Sequence, residues 1–164
     1  MRIATRWVAV AALALGPPGA STSRAAAGAM CGVSATGLDF GNYHGTSPTP
    51  TEVTGTIVVT CTAPGQAPVP VAFSVALLGT SPDGARRMAS ARSSLRYRLY
   101  LDPARTVEWG DGSAGTATLD GRGVVSGGSP LRQSFTVYGR LLARQVGVRA
   151  GRHVDVVAVL LTYR

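Results

Sequence analysis

Eleven residues, His153 to Tyr163 (His-Val-Asp-Val-Val-Ala-Val-Leu-Leu-Thr-Tyr), form the most strongly β-prone segment of the 164-residue chain. Their β-branched and aromatic side chains suit a pleated, buried surface better than a helix. Val157, Val159, Leu161 and Tyr163 fall on one face, with Val156, Ala158, Leu160 and Thr162 opposite. The sequence stops one residue later, so the strand is expected to present an uncovered outer edge. An unpaired apolar edge is an aggregation hazard and calls for a partner.

The rest of the chain supports an all-β fold. Glycine at 21 residues and proline at 10 cut the sequence into short segments and leave no long helical pattern. Alternating segments lie at Cys31–Ala35 with Leu38–Tyr43, at Glu52–Cys61, at Val71–Leu78, at Leu95–Leu101 and at Leu131–Leu142. In the second of these Ile57, Val59 and Cys61 share a face, so an inward Cys61 takes the other two inward with it. Thr106–Trp109 adds a possible short strand. Gly139 inside the Leu131–Leu142 strand points to a bulge or a close backbone approach. Gly79–Ser94, with Arg86, Arg87 and Arg92, reads as a solvated crossing loop, and Gly110–Pro130, with seven glycines, as mostly turn. Six or seven short strands in one domain fit a sandwich of immunoglobulin-like type.

The first residues have the composition of a secretory leader. Arg2 and Arg6 give a basic start, Trp7 to Leu15 a nine-residue apolar run, and small residues follow. The run is too short to span a bilayer as a helix, so no transmembrane segment is expected. Cleavage is expected between residues 20 and 29, after Ala20, Ala27 or Ala29, which divides the chain into a signal peptide, 1–29, and a domain, 30–164. Export then accounts for the two cysteines, Cys31 and Cys61, which are expected to pair in an oxidising compartment. Closing the 30-residue separation is worth about 3 to 4 kcal/mol on the chain-entropy estimate.

Charge and motifs point away from catalysis and nucleic acid. Loss of Arg2, Arg6 and Arg24 with the leader takes the formal charge from +8 to +5, three arginines fewer. There is no lysine, and arginine for every cation beside abundant alanine and glycine reflects coding bias more than a nucleic-acid surface. Gly110-Asp111-Gly112-Ser113-Ala114-Gly115 satisfies Gly-x-Gly-x-x-Gly, but no helix follows to face a pyrophosphate. Asp102, Glu108, Asp111 and Asp120 could in principle supply a glycosidase pair; most sit in turn-like settings where Asp serves the backbone. His153 and Asp155 share a strand face with no marked nucleophile. With no Cys-x-x-Cys and only His44 and His153 to assist, no metal and no cofactor is expected, and the chain does not read as an enzyme.

Taken in order, several segments resemble the spore coat protein U domain family, the subunit type of archaic chaperone–usher pili. They are Cys31-Gly32-Val33-Ser34-Ala35 with Leu38-Asp39-Phe40-Gly41-Asn42-Tyr43, Val58-Val59-Thr60-Cys61, Leu95 to Asp102, Trp109-Gly110-Asp111-Gly112, Thr136 to Arg140 through Gln145, and Asp155 to Tyr163. The resemblance implies an incomplete immunoglobulin-like β-sandwich that lacks its last strand and is completed by donor-strand complementation. It implies Val157, Val159, Leu161 and Tyr163 as a wall of the donor-strand and chaperone groove, and it places Cys31 and Cys61 at the family's disulfide positions. The implied partners are a periplasmic pilus chaperone, an outer-membrane usher and neighbouring pilin subunits, with the product at the cell surface in a pilus or secreted. The chain departs from the family in two respects: His153 stands near where the family usually has an aromatic residue, and the alternating apolar segment that rod subunits carry before the first cysteine is missing. Ser21–Met30 holds small residues that can bury little area as a donor, so the chain is expected to accept a strand and pass none on, which suits a tip position. The competing expectation is a self-contained secreted or coat-associated binding module, with Tyr43, Tyr100 or Trp109 as exposed stacking surfaces for carbohydrate.

Overall fold

A computed structural model describes residues 3–14, 28–79 and 84–164. The described residues form ten strands and no helix: β1 (Ile3–Ala14), β2 (Met30–Ala35), β3 (Asp39–Gly41), β4 (Thr51–Thr62), β5 (Val69–Leu77), β6 (Arg86–Ala89), β7 (Ser94–Tyr100), β8 (Leu119–Val125), β9 (Leu131–Leu141) and β10 (His153–Tyr163). Hydrogen bonds link the strands in the order β2-β4-β9-β7-β6-β10-β1-β3, with β5 on β10 and β8 on β5. All pairs are antiparallel except β1 with β10, which is parallel. The strands join into one sheet because β10 changes partner along its length. Val154 pairs with Ala89 of β6, and Val159–Tyr163 pair with Leu77–Phe73 of β5.

The inward rows of these strands form a single core. Ile57, Val59 and Cys61 of β4 are buried together, as their alternation requires, and meet Val71, Phe73, Val75 and Leu77 of β5, Leu95, Tyr97 and Leu99 of β7, and Val137 and Leu141 of β9. Phe73 meets Phe135 edge-on at 6.1 Å between ring centres, and Phe40 meets Tyr97 likewise at 5.7 Å. The Cys31–Cys61 disulfide forms between directly paired residues of β2 and β4.

Two segments expected as loops contain strands. β8 lies within the glycine-rich stretch 110–130; its core-facing row is Leu119, Gly121, Gly123 and Val125, with glycine at the middle two because Phe73 and Leu131 already fill the space a side chain would need. β6 lies within 79–94; Arg86 and Met88 point inward while Arg87 and Ala89 point out. Arg86 is therefore a buried cation rather than a solvated one. The reverse holds for Thr106–Trp109, which makes isolated bridges only, Tyr100 to Glu108 and Trp109 to Ala117. At Gly139 the register against β4 runs without a bulge, and close approach is the reason for glycine: an added Cβ would stand 2.9 Å from the Phe40 ring.

Candidate strand-accepting edge

β10 is built to be buried along one face and held along both edges. Its inward row is His153, Asp155, Val157, Val159, Leu161 and Tyr163; the three aliphatic residues are fully buried and Tyr163 is half-buried. One edge is occupied by β6 and β5, with a further bond from the Leu78 amide to the Ala158 carbonyl at 2.9 Å. The opposite edge, expected to be uncovered, is not: β1 runs parallel along it from Ile3 beside His153 to Val10 beside Leu160. After a register shift it continues with Leu13 beside Thr162 and Ala14 beside Tyr163. On its far side β1 meets β3 at its start, through Ile3–Gly41 and Ala4–Asp39. A one-strand slot thus lies between β10 and β3, and the N-terminal apolar segment fills it.

The start of β10 is fixed by polar contacts inside the core. The Asp155 carboxylate accepts from the Tyr97 hydroxyl at 2.7 Å and from Arg86 Nε at 3.1 Å, while Arg86 Nη1 donates to the Leu78 carbonyl at 2.8 Å. Arg86 is 7% exposed and Asp155 16%. Burial first, then the neighbouring carboxylate, push the Tyr97 phenol well above its ordinary range, so it stays a donor. Two residues earlier, the fully buried His153 places Nε2 2.9 Å from Ser93 Oγ and Nδ1 3.3 Å from the Gly151 carbonyl. These contacts tie β10 to β6, β7 and the preceding loop, and leave its other edge to β1.

The residues weighed for other chemistry are committed elsewhere. Tyr43, Tyr100 and Trp109 are buried, at 6%, 8% and 1% exposure, and offer no stacking surface. The Tyr43 hydroxyl donates to the Leu142 carbonyl and accepts from the Gln145 amide, and Trp109 Nε1 donates to the Val75 carbonyl. Among the acids, Asp102 gathers the amides of Thr106 and Val107, Glu108 pairs with Arg98 at 2.7 Å, Asp111 accepts from Ser113, and Asp120 accepts from Thr118. The Val107 amide, foremost, holds the Asp102 carboxyl below the usual carboxylate range. Gly110–Gly115 lies in turns, without a helix to complete a nucleotide site. Among the described residues no three of His, Cys, Asp or Glu come together as a metal site, and no helix is long and apolar enough to cross a membrane.

No curated protein matches the chain at a significant level. A family model does: that of the Spore Coat Protein U domain, over residues 19–160, a pilin-like family of extracellular domains associated with secreted surface or coat structures. The match takes in β2 through most of β10, including both cysteines of the disulfide, and leaves β1 outside. By this match, which covers most of its length, the chain belongs to the Spore Coat Protein U domain family.

Proposed function

We propose that the chain is an exported structural and adhesive subunit of a chaperone–usher pilus, and that the slot between β10 and β3 is its strand-accepting groove. The observation that carries this reading is the parallel pairing of β1 with β10 by a segment that has the composition of a leader and lies outside the family match. Removal of residues 1–29 on export empties the slot. Ten residues of β10 then lose a ladder partner, and Val157, Val159, Leu161 and Tyr163 lose the strand beside them. A periplasmic chaperone fills the vacancy first and a neighbouring pilin subunit afterwards, completing an immunoglobulin-like sandwich by strand addition. The usher passes the subunit to the surface between these two states. Ser21–Met30 is a poor donor, so the subunit receives a strand without passing one on and stands at the tip.

N-terminal sequencing of the exported protein fixes the mature start, expected between residues 21 and 30. The mature chain, purified alone, is expected to aggregate or melt at low temperature, and to become markedly more stable with a synthetic donor peptide of alternating apolar residues. A stable monomer that retains its melting temperature with or without the peptide would overturn the proposal.

A further inference from the structure

We propose that the outward face of β8, β5 and the end of β10 binds an acidic saccharide of the uronate type. The register of three strands builds the site. Arg122 of β8 is paired with Ala72 of β5, and Ala72 exchanges both backbone hydrogen bonds with Arg164, each at 3.0 Å. In the adjacent row Asp120 pairs with Ser74 and Ser74 with Thr162. Directly paired residues of antiparallel strands point to the same side, and because Val71, Phe73 and Val75 face the core, both rows face outward.

The result is a trough of about 680 Å³ lined by Ala72, Ser74, Asp120, Arg122, Thr162 and Arg164, with Phe73, Gly121 and Tyr163 between them. Two strand spacings place the backbones of Arg122 and Arg164 about 10 Å apart, with only the Ala72 methyl between them. Their guanidinium arms can close on one carboxylate from both sides, each donating two parallel N–H bonds. The next row supplies what a sugar ring needs beyond its carboxylate. The Asp120 carboxylate accepts from ring hydroxyls, and the Ser74 and Thr162 hydroxyls donate or accept.

Ion pairs occupy some of the arginines and leave those of this row open. Arg86, Arg98, Arg105 and Arg140 each face an acid, Asp155, Glu108, Glu52 and Glu52 respectively. Arg122 and Arg164 make no ion pair among the described residues. Asp120, two residues from Arg122 on the same strand face, bonds to the Thr118 hydroxyl instead. A bare polyanion such as nucleic acid fits less well, because the Asp120 carboxylate repels phosphate. The charged groups of the site stand on β8 and at the end of β10, while Thr162 and Tyr163 also pair with β1, so the site borders the strand that lies beside β10.

The test is binding of the full chain to oligogalacturonate, to a neutral glucan oligomer and to a sulfated glucan oligomer of equal length, in about 0.15 M salt, where long-range attraction is screened. The uronate is expected to bind and the neutral glucan not. Arg122→Ala and Arg164→Ala should each weaken uronate binding about tenfold or more, the worth of a charge-assisted bidentate contact. Asp120→Asn should weaken uronate binding while leaving binding of the sulfated oligomer equal or stronger. The charge control is Arg149→Ala with Arg152→Ala, two exposed arginines outside the trough. If this pair weakens binding as much as the trough variants do, net charge alone is responsible and the proposal fails. Equal affinity for the sulfated and uronate oligomers, or unchanged uronate binding in both trough variants with folding intact by circular dichroism, would also refute it.

Discussion

Replacing Asp155 by Asn tests whether the polar contacts at the start of β10 act as one unit. The substitution keeps the shape and one acceptor oxygen but removes the negative charge that faces Arg86 at 3.1 Å and Tyr97 at 2.7 Å. Arg86, 7% exposed, would keep its bond to the Leu78 carbonyl and lose its counter-charge. Breaking a buried ion pair from one side costs about 3 to 5 kcal/mol when the remaining charge is stranded; the amide oxygen recovers part of this, so about 2 to 3 kcal/mol is expected. Tyr97→Phe removes one donor and leaves the ion pair, for about 1 to 2 kcal/mol. The assay is equilibrium unfolding in urea at neutral pH, followed by the fluorescence of the buried Trp109. Arg86→Met combined with Asp155→Leu, which removes both charges, should cost less than the sum of Arg86→Met and Asp155→Leu alone, since neither change then strands a charge. A loss below about 0.5 kcal/mol for Asp155→Asn, or strict additivity in the cycle, would mean that water already screens the pair and that β10 is held by its apolar row alone.

Three further outcomes follow from particular contacts. Cys31→Ser with Cys61→Ser should lower stability by about 3 to 4 kcal/mol, the closure entropy of the 30-residue separation, and reductant should then have no additional effect on the urea midpoint. Gly139→Ala should cost about 1 to 3 kcal/mol by overpacking, because its Cβ would meet the Phe40 ring, which leans edge-on against Tyr97 and has no room to yield. Asp102, whose folded carboxyl is held low chiefly by the Val107 amide, contributes stability that is present above its ordinary pKa and lost as pH falls through the lowered one. The melting-temperature gap between the natural chain and Asp102→Asn should therefore be full at neutral pH and close in strongly acidic solution.

Strands with one row buried were legible because a period of two leaves a direct trace in sequence. Ile57, Val59 and Cys61 on β4 and Val71, Phe73, Val75 and Leu77 on β5 are instances, and all seven are core residues. What escaped sequence reasoning depended on partners distant along the chain. Gly121 and Gly123 look like turn residues until Phe73 and Leu131, from other strands, are seen to occupy the volume beside them. Arg86 looks solvated until Asp155, 69 residues later, is found beside it. Trp109 and Tyr43 look available for stacking because the carbonyls of Val75 and Leu142, which accept their polar hydrogens, cannot be assigned from local pattern. Composition gave Ile3–Ala14 only the character of a leader, and nothing local in it specifies a parallel ladder beside β10.

That last difference bears on the proposed groove. β10 has one side where β6, β5 and the Asp155 contacts hold it, and another where its ladder partner among the described residues is β1, the side exchanged under the proposed function. The inward row does not change between these sides: Val157, Val159 and Leu161 remain turned to the core whichever strand lies alongside. The slot therefore selects on backbone and apolar content, not on a particular sequence. Parallel ladders and antiparallel ones both satisfy the β10 amides and carbonyls, so a segment of either direction can serve. Under the proposed function this lets one edge accept the leader segment, a chaperone strand and a subunit strand in turn. Each must cover about eleven residues, and each later occupant must release the one before it. The polar contacts under His153 and Asp155 keep β10 in register while its neighbour is exchanged.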